Sequence, residues 1–191
     1  VHIRRTLLKR GNVMATTYII SIHVGKGKTA YQSIKERLDY IMNPEKTDGG
    51  LLISSHACFP ETAADEFMLY RQEYLNTTGR KRGDEVLAYH LRQAFKPGKI
   101  TAEKANEIGK ALAERLTDKQ HAFVVATHID KQHIHNHIIF CATSLDGRQK
   151  YRDVKRSAKE LVQISDALCE ENGLSVICNP QDKAVPYDKW A

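Results

Sequence analysis

The stretch HAFVVATHIDKQHIHNHIIFCA, residues 121–142, decides the architecture. Two apolar, β-branched runs, His121 to His128 and Ile134 to Ala142, flank the polar Asp130-Lys131-Gln132, and that spacing predicts an antiparallel hairpin. The hairpin also carries four of the chain's nine histidines, all between His128 and His137. Alternate residues of a strand share a face, so His135 and His137 project side by side, with His133 entering on that side. Across the hairpin, His128 can close a cluster of three imidazoles. Buried neutral imidazoles each need a partner for a nitrogen lone pair, and a shared divalent cation supplies one. Metal binding is therefore the expectation, and on spacing alone a zinc hydrolase remains open. Taken singly, His133 reads equally well as a satisfied strand residue. His2, His23, His56 and His121 read as ordinary surface or core histidines, and His90 is intermediate.

Outward from the hairpin, strands alternate with single helices. Tyr18 to Val24 reads as a strand ended by Gly25-Lys26-Gly27-Lys28, whose spacing falls short of a phosphate-binding loop. Ile34, Leu38 and Ile41 recur at helical spacing after Thr29, Pro44 stops the pattern, and Tyr40 sits on the last turn. Leu51 to Phe59 reads as a strand. A helix follows Pro60 to about Asn76, with Phe67, Tyr70 and Tyr74 along one side, and the loop TTGRKRGDE ends it. Glu85 to Phe95 suits a strand buried on both faces, closed by Pro97-Gly98. Thr101 caps an amphipathic helix built on Ala105, Ile108, Ala111, Leu112 and Leu116. After the hairpin, Asp146-Gly147 turns the chain into a helix from about Val154 to Glu171, capped by Gly173. The pattern predicts an α+β fold, a central antiparallel sheet with helices packed on it.

At 191 residues and 41% hydrophobic, the chain fits one domain that folds without disulfides. Cys58, Cys141, Cys169 and Cys178 form no CxxC pair and read as reduced thiols. No apolar run reaches the roughly 20 residues of a membrane helix, so a cytoplasmic protein with no membrane insertion is expected. The net charge is +6 and the pI about 9.1, which invites a nucleic-acid partner. Much of that charge sits in Arg4, Arg5, Lys9 and Arg10, ahead of Met14, where MATTYIISIHV reads as an ordinary protein start. Residues 1–13 are accordingly set apart as a basic extension or a cloning remnant, 14–180 as the domain, and 181–191 as a tail or linker. The other basic clusters are Arg80-Lys81-Arg82, Lys96 with Lys99, and RQKYRDVKR from Arg148. Each alone reads as a solvated face.

The residues also carry a resemblance. ATHIDKQHIHNHII, residues 126–139, resembles the third motif of the MobA-type conjugative relaxases, members of the HUH endonuclease superfamily, in which HxD precedes closely spaced histidines ending in HxH. LDYIMNPEKT, residues 38–47, resembles the motif that carries their nucleophilic tyrosine. VLAYHLRQAF, residues 86–95, is more loosely similar to their second motif. Ala94 stands where a serine commonly helps hold DNA, and Cys141 where an asparagine often follows the HxH strand. The similarity extends over roughly residues 16–178.

The resemblance implies an N-terminal nicking and joining domain. Tyr40 is the implied nucleophile, His128, His135 and His137 the metal ligands, and Asp130 a candidate base. The implied cofactor is a divalent metal, Mg or Mn; the implied product is a strand joined to the tyrosine through its 5′-phosphate, with a free 3′-hydroxyl. Implied partners are single-stranded and hairpin or duplex DNA at an origin of transfer, accessory relaxosome proteins and a coupling protein. Arg80, Lys81, Arg82, His90, Gln93, Lys96, Lys99, His133 and Arg148 are the candidates to hold that DNA. A replication initiator of the same superfamily and a non-catalytic DNA-binding module with a structural metal are the competing readings.

Overall fold

The computed structural model describes residues 15–80, 83–152 and 155–174. The expected extension 1–13, the tail 181–191, Cys178, and the DNA candidates Lys81 and Arg82 lie outside the described residues. Among the described residues five strands make one antiparallel sheet: β1 (Ala15–Ile22), β2 (Ile53–His56), β3 (Ala88–Phe95), β4 (Phe123–His128) and β5 (His135–Cys141), in the spatial order β1-β3-β5-β4-β2. Four helices accompany it: α1 (Ala30–Ile41), α2 (Ala63–Thr78), α3 (Ala102–Leu116) and α4 (Lys155–Glu171).

The hairpin expected from residues 121–142 forms as β4 and β5, with His128 opposite His135 and Ala126 opposite His137. β3 lies on the other side of β5, pairing Arg92 with His137 and Ala94 with His135. Because side chains alternate, His128, His135, His137, Arg92, Ala94 and His90 share one face. Thr127, Asn136, Gln93 and Leu91 share the other.

Helices cover both faces, an arrangement the sequence pattern left open. On the histidine face, Ile34, Leu38 and Ile41 of α1 and Ala63, Ala64 and Phe67 of α2 pack on Ile22, Val124, Ala126 and Ile139. On the reverse face, Ile108, Leu112 and Leu116 of α3 and Leu161 and Leu168 of α4 pack on Leu91, Phe123, Val125, Ile138 and Phe140. Each fully buried Leu, Ile or Phe contributes roughly 1.5–3 kcal/mol. β3, β4 and β5 lie between the layers, which is why they read as nearly continuous apolar runs.

Local chemistry sets the ends of the elements. Thr29 and Gln32 form a reciprocal capping box that starts α1, and the Thr101 hydroxyl accepts from the Lys104 amide to start α3. β2 is shorter than the run Leu51 to Phe59, because residues 51 and 52 belong to a turn and Ala57 takes a left-handed φ of 53°. β1 begins three residues earlier than Tyr18, since Ala15 to Ile22 pairs without a break with Phe95 to Ala88. Cys58, Cys141 and Cys169 are unbridged thiols. Among the described residues no helix is long and apolar enough to cross a membrane.

Candidate active site

α1 and α2 roof only part of the histidine face. His128, His135 and His137 occupy the end of the sheet where β4 stops and β5 starts. Each offers one ring nitrogen, and these three atoms lie within 4.8 Å of one another. All three rings are nevertheless buried, between 1% and 4% exposed.

The second nitrogen of each ring is engaged by the protein, and for His128 and His135, whose partners are carbonyls, this fixes the tautomer. His128 Nε2–H donates to the Ile41 carbonyl at 2.7 Å, leaving Nδ1 for a ligand. His135 Nδ1–H donates to the His133 carbonyl at 3.3 Å, leaving Nε2. His137 Nδ1 lies 2.8 Å from His90 Nε2, so with Nε2 of His137 kept for a metal, Nδ1–H donates and His90 accepts. Burial lowers the proton affinity of the whole set. Desolvation, followed by the positive charge of Arg92, brings His90 to about 3. Desolvation brings His135 to about 4, and burial also lowers His128 and His137. At neutral pH the triad presents three neutral donors with free lone pairs, a set able to hold a divalent ion.

Tyr40 stands at the mouth of this site. It is one residue before the buried Ile41, so its side chain leaves α1 at the margin of the packed face and is 52% exposed. Its ring meets His128 and His137 edge-on, with centroids 6.2 and 5.9 Å apart. The His128–Ile41 hydrogen bond ties a proposed metal ligand directly to the helix that carries Tyr40. The turn after α1 is pinned as well. The Ile129 amide donates to the Lys46 carbonyl at 3.0 Å, the Thr127 amide to the Leu52 carbonyl at 3.0 Å, and buried Thr47 bonds back to the Asn43 carbonyl.

That turn presents Lys46, whose ammonium lies 4.7 Å from the centre of the Tyr40 ring and 3.7 Å from the Asp130 carboxylate. Lys46 went unnoticed in the sequence, although it lies within LDYIMNPEKT, six residues after the tyrosine. Arg92 was missed too: it pairs across the strands with His137 on the histidine face and acts electrostatically on His90, His128, His135 and His137. An alternation count through VLAYHLRQAF would have put it there.

The DNA candidates divide by place. Lys96 and Lys99 are exposed just past the end of β3, at the end of the sheet that carries Ala94 and His135. Arg148 follows β5 at the opposite end, six residues along the strand and so roughly 20 Å away. Arg80 lies just past α2, whose Glu73 abuts Gly147 at that same end. Three expectations change. Gln93 is fully buried on the reverse face, its amide bonded to Ser165 and Asn136, so it is not placed to meet DNA. His90 is 5% exposed and sits behind His137. His133 is fully buried against His135, with ring centroids 5.2 Å apart. Tyr31, the other tyrosine of α1, is exposed nine residues before Tyr40. Cys141 is buried at the far end of β5, its thiol pushed up to about 12 by burial.

Comparison with known proteins agrees with this geometry. The nuclease domain of the MobA/VirD2-like relaxases matches residues 40–174. A protein named rlx from Staphylococcus aureus is 40% identical over 109 residues, covering 56% of this chain and 34% of its own length. The group II intron-interrupted relaxase LtrB of Lactococcus lactis subsp. cremoris is 30% identical over 187 residues, covering 79% of this chain and 33% of its own. The chain thus spans about a third of the length of these curated relatives. The matched segment opens on Tyr40 and includes all three clustered histidines, and on that match the chain belongs to the MobA/VirD2-like relaxase family, of which it carries the nuclease domain.

Proposed function

We propose that this domain cuts one DNA strand at an origin of transfer by attack of Tyr40 on a backbone phosphate, and rejoins the strand afterwards. The observation that carries the reading is the placement of Tyr40 against His128 and His137, on a helix hydrogen-bonded to His128 through the carbonyl of Ile41. The family match supports the nuclease class.

In the proposed reaction the Tyr40 oxygen forms a bond to phosphorus and the phosphorus–O3′ bond breaks. The upstream piece leaves as a 3′-hydroxyl, and the downstream 5′-phosphate stays on the protein as a tyrosine ester. Bond energy is thereby conserved for the reverse step. A phenol ordinarily ionises near pH 10, so the attack needs help at neutral pH. Lys46 places a positive charge over the Tyr40 ring, next to the proposed point of attack on the phosphate. Asp130, which shares Lys46 with that ring, is the candidate to take the phenol proton and return it to the leaving oxygen.

His128, His135 and His137 would hold the divalent ion. When bound, that ion, Mg or Mn by family resemblance, withdraws charge from the non-bridging oxygens of the scissile phosphate. Imidazole donors favour Mn among these two, since Mg prefers oxygen. Arg92, beside His137, adds a fixed positive charge to the same pocket, and Lys96 and Lys99 extend it along the path of a single strand. Accessory relaxosome proteins, a coupling protein and a cytoplasmic site of action complete the proposal.

The test is incubation with a single-stranded oligonucleotide carrying the nick site. An SDS-stable protein–DNA band that requires divalent metal, and that disappears in Tyr40→Phe and in His135→Ala, supports the proposal. Persistence of the band in Tyr40→Phe rejects the nucleophile.

A further inference from the structure

Directly behind the triad, on the reverse face of the sheet, runs a chain of buried polar side chains that the proposed chemistry does not use. Asn136 lies between the ligands His135 and His137 and points the other way. It is fully buried. Its Nδ2 donates to Gln93 Oε1 at 3.0 Å and to the Ala105 carbonyl at 2.6 Å, and its Oδ1 accepts from Thr127 Oγ1 at 2.7 Å. Thr127, itself next to the ligand His128, accepts from Asn106 Nδ2 at 3.0 Å, and that amide also reaches the Leu52 carbonyl at 2.9 Å. Gln93 Nε2 donates to Ser165 Oγ at 2.9 Å. One connected network thus joins β3, β4, β5, α3 and α4 beneath the three histidines.

An apolar side chain would suit this face, which is otherwise packed with Leu91, Val125 and Ile138. A buried amide is costly unless every donor and acceptor is matched. Here they are matched, and the cost is offset by direction. Apolar contacts tolerate small slides and rotations, whereas these bonds fix where strand β5 sits relative to β4 and how it twists. The fit is tight from behind as well. α3 passes with Gly109 over Asn136, and a Cβ added there would come within 2.4 Å of Asn136 Nδ2 and 2.8 Å of its Cγ.

We propose that Asn136, held by Thr127, Gln93 and the Ala105 carbonyl, is a positioning residue that sets the separation and orientation of His128, His135 and His137 for a divalent ion. The inference rests on the reading of the triad as a metal site. Gly109 belongs to the same device as the close approach that keeps Asn136 seated.

The full chain, with Mn2+ titrated calorimetrically and Co2+ followed by its visible absorption, provides the test. Asn136→Leu should weaken Mn2+ binding about 10- to 100-fold, the range seen when groups orienting a metal ligand are removed, and should change the Co2+ band positions and intensities. Gly109→Ala should do the same in the same direction. Alanine suits a helix better than glycine, so an uncoupled substitution there would leave binding untouched. Ser165→Ala, which touches the network only at its far end, should alter affinity far less than either. The inference is overturned if Asn136→Leu or Gly109→Ala lowers the melting temperature of the metal-free chain but keeps wild-type affinity and wild-type Co2+ spectrum. The network would then serve the fold alone. If Asn136→Leu does not fold, Gly109→Ala decides by the same criterion. Failure of the wild-type chain to bind either ion would overturn the metal reading and this inference together; unchanged binding in the variants of a metal-binding wild type sinks this inference only.

Discussion

Replacing His90 by leucine isolates the support that the fold gives to one proposed metal ligand, His137. His90 Nε2 lies 2.8 Å from His137 Nδ1, and both rings are buried. In the metal-free variant His137 can shift its proton to Nε2, and so remove the N–H from the space left by His90. A metal on Nε2 forbids that tautomer. Nδ1–H must then remain in the space left by His90 without an acceptor, and a buried unsatisfied donor costs about 1–3 kcal/mol. Because the penalty falls on the bound form alone, it appears in full as lost affinity. At about 1.4 kcal/mol per decade this is a loss of roughly 5- to 150-fold in divalent-metal binding. Calorimetric titration with Mn2+ measures it directly. His90→Gln, whose carbonyl oxygen can accept the same proton, should recover most of the loss. Affinity in His90→Leu within twofold of wild type would refute the reasoning, because His137 would not depend on His90 for its tautomer.

Three further outcomes follow from the geometry. Lys46→Gln removes the cation over the Tyr40 ring, and should lower the single-turnover cleavage rate at saturating oligonucleotide about tenfold while changing its Kd less. An equal loss in both would mark Lys46 as a phosphate contact instead. His90, His121, His128, His135 and His137 all have proton affinities lowered by burial, so the unfolded chain binds more protons than the folded one below the ordinary histidine pKa of about 6.5. Their contribution to stability is complete above that value and is lost as pH falls from there through the lowered values, about 4 for His135 and about 3 for His90. Denaturant titrations of the metal-free chain should show stability falling with acidification across this range; a flat profile contradicts the burial argument. Finally, Lys96→Ala with Lys99→Ala should weaken binding of a short single strand spanning the nick and reduce its salt dependence, whereas Arg148→Ala should leave both nearly unchanged. Fluorescence anisotropy at several salt concentrations distinguishes the two ends of the sheet.

The histidine hairpin was legible because two signals coincide in it. The period of two fixes which residues share a face, and the short polar connection brings His128 opposite His135. α1 and α3 were equally legible from Thr29, Thr101 and their apolar spacing. The ends of β2 were not, since the left-handed Ala57, whose carbonyl accepts from Tyr70 of α2, and the turn at residues 51 and 52, where the Leu52 carbonyl accepts from Thr127 of β4, depend on tertiary contacts rather than on β propensity. Lys46 and Arg92 escaped because charged residues within mostly apolar motifs gain meaning only when the register is known. Gln93 was misread for a related reason. It looks polar and available in VLAYHLRQAF, but one step from Arg92 along a strand turns it to the opposite face, where Asn136 and Ser165 engage its amide. His90 and His133 show the limit of counting histidines, since neither burial nor which ring stands behind which can be counted from spacing.

The central claim is that Tyr40 carries the covalent bond. Digesting the cross-linked complex with trypsin and nuclease, then locating the residual nucleotide by tandem mass spectrometry, tests it most directly. Tyr40 falls in the peptide of residues 38–46, after Arg37 and ending at Lys46, and Tyr31 in that of residues 29–35, between Lys28 and Lys35. The structure predicts a 5′-phosphonucleotide on the Tyr40 peptide and none on the Tyr31 peptide. A nucleotide mass on Tyr31 or on any other residue, with the Tyr40 peptide unmodified, would contradict it.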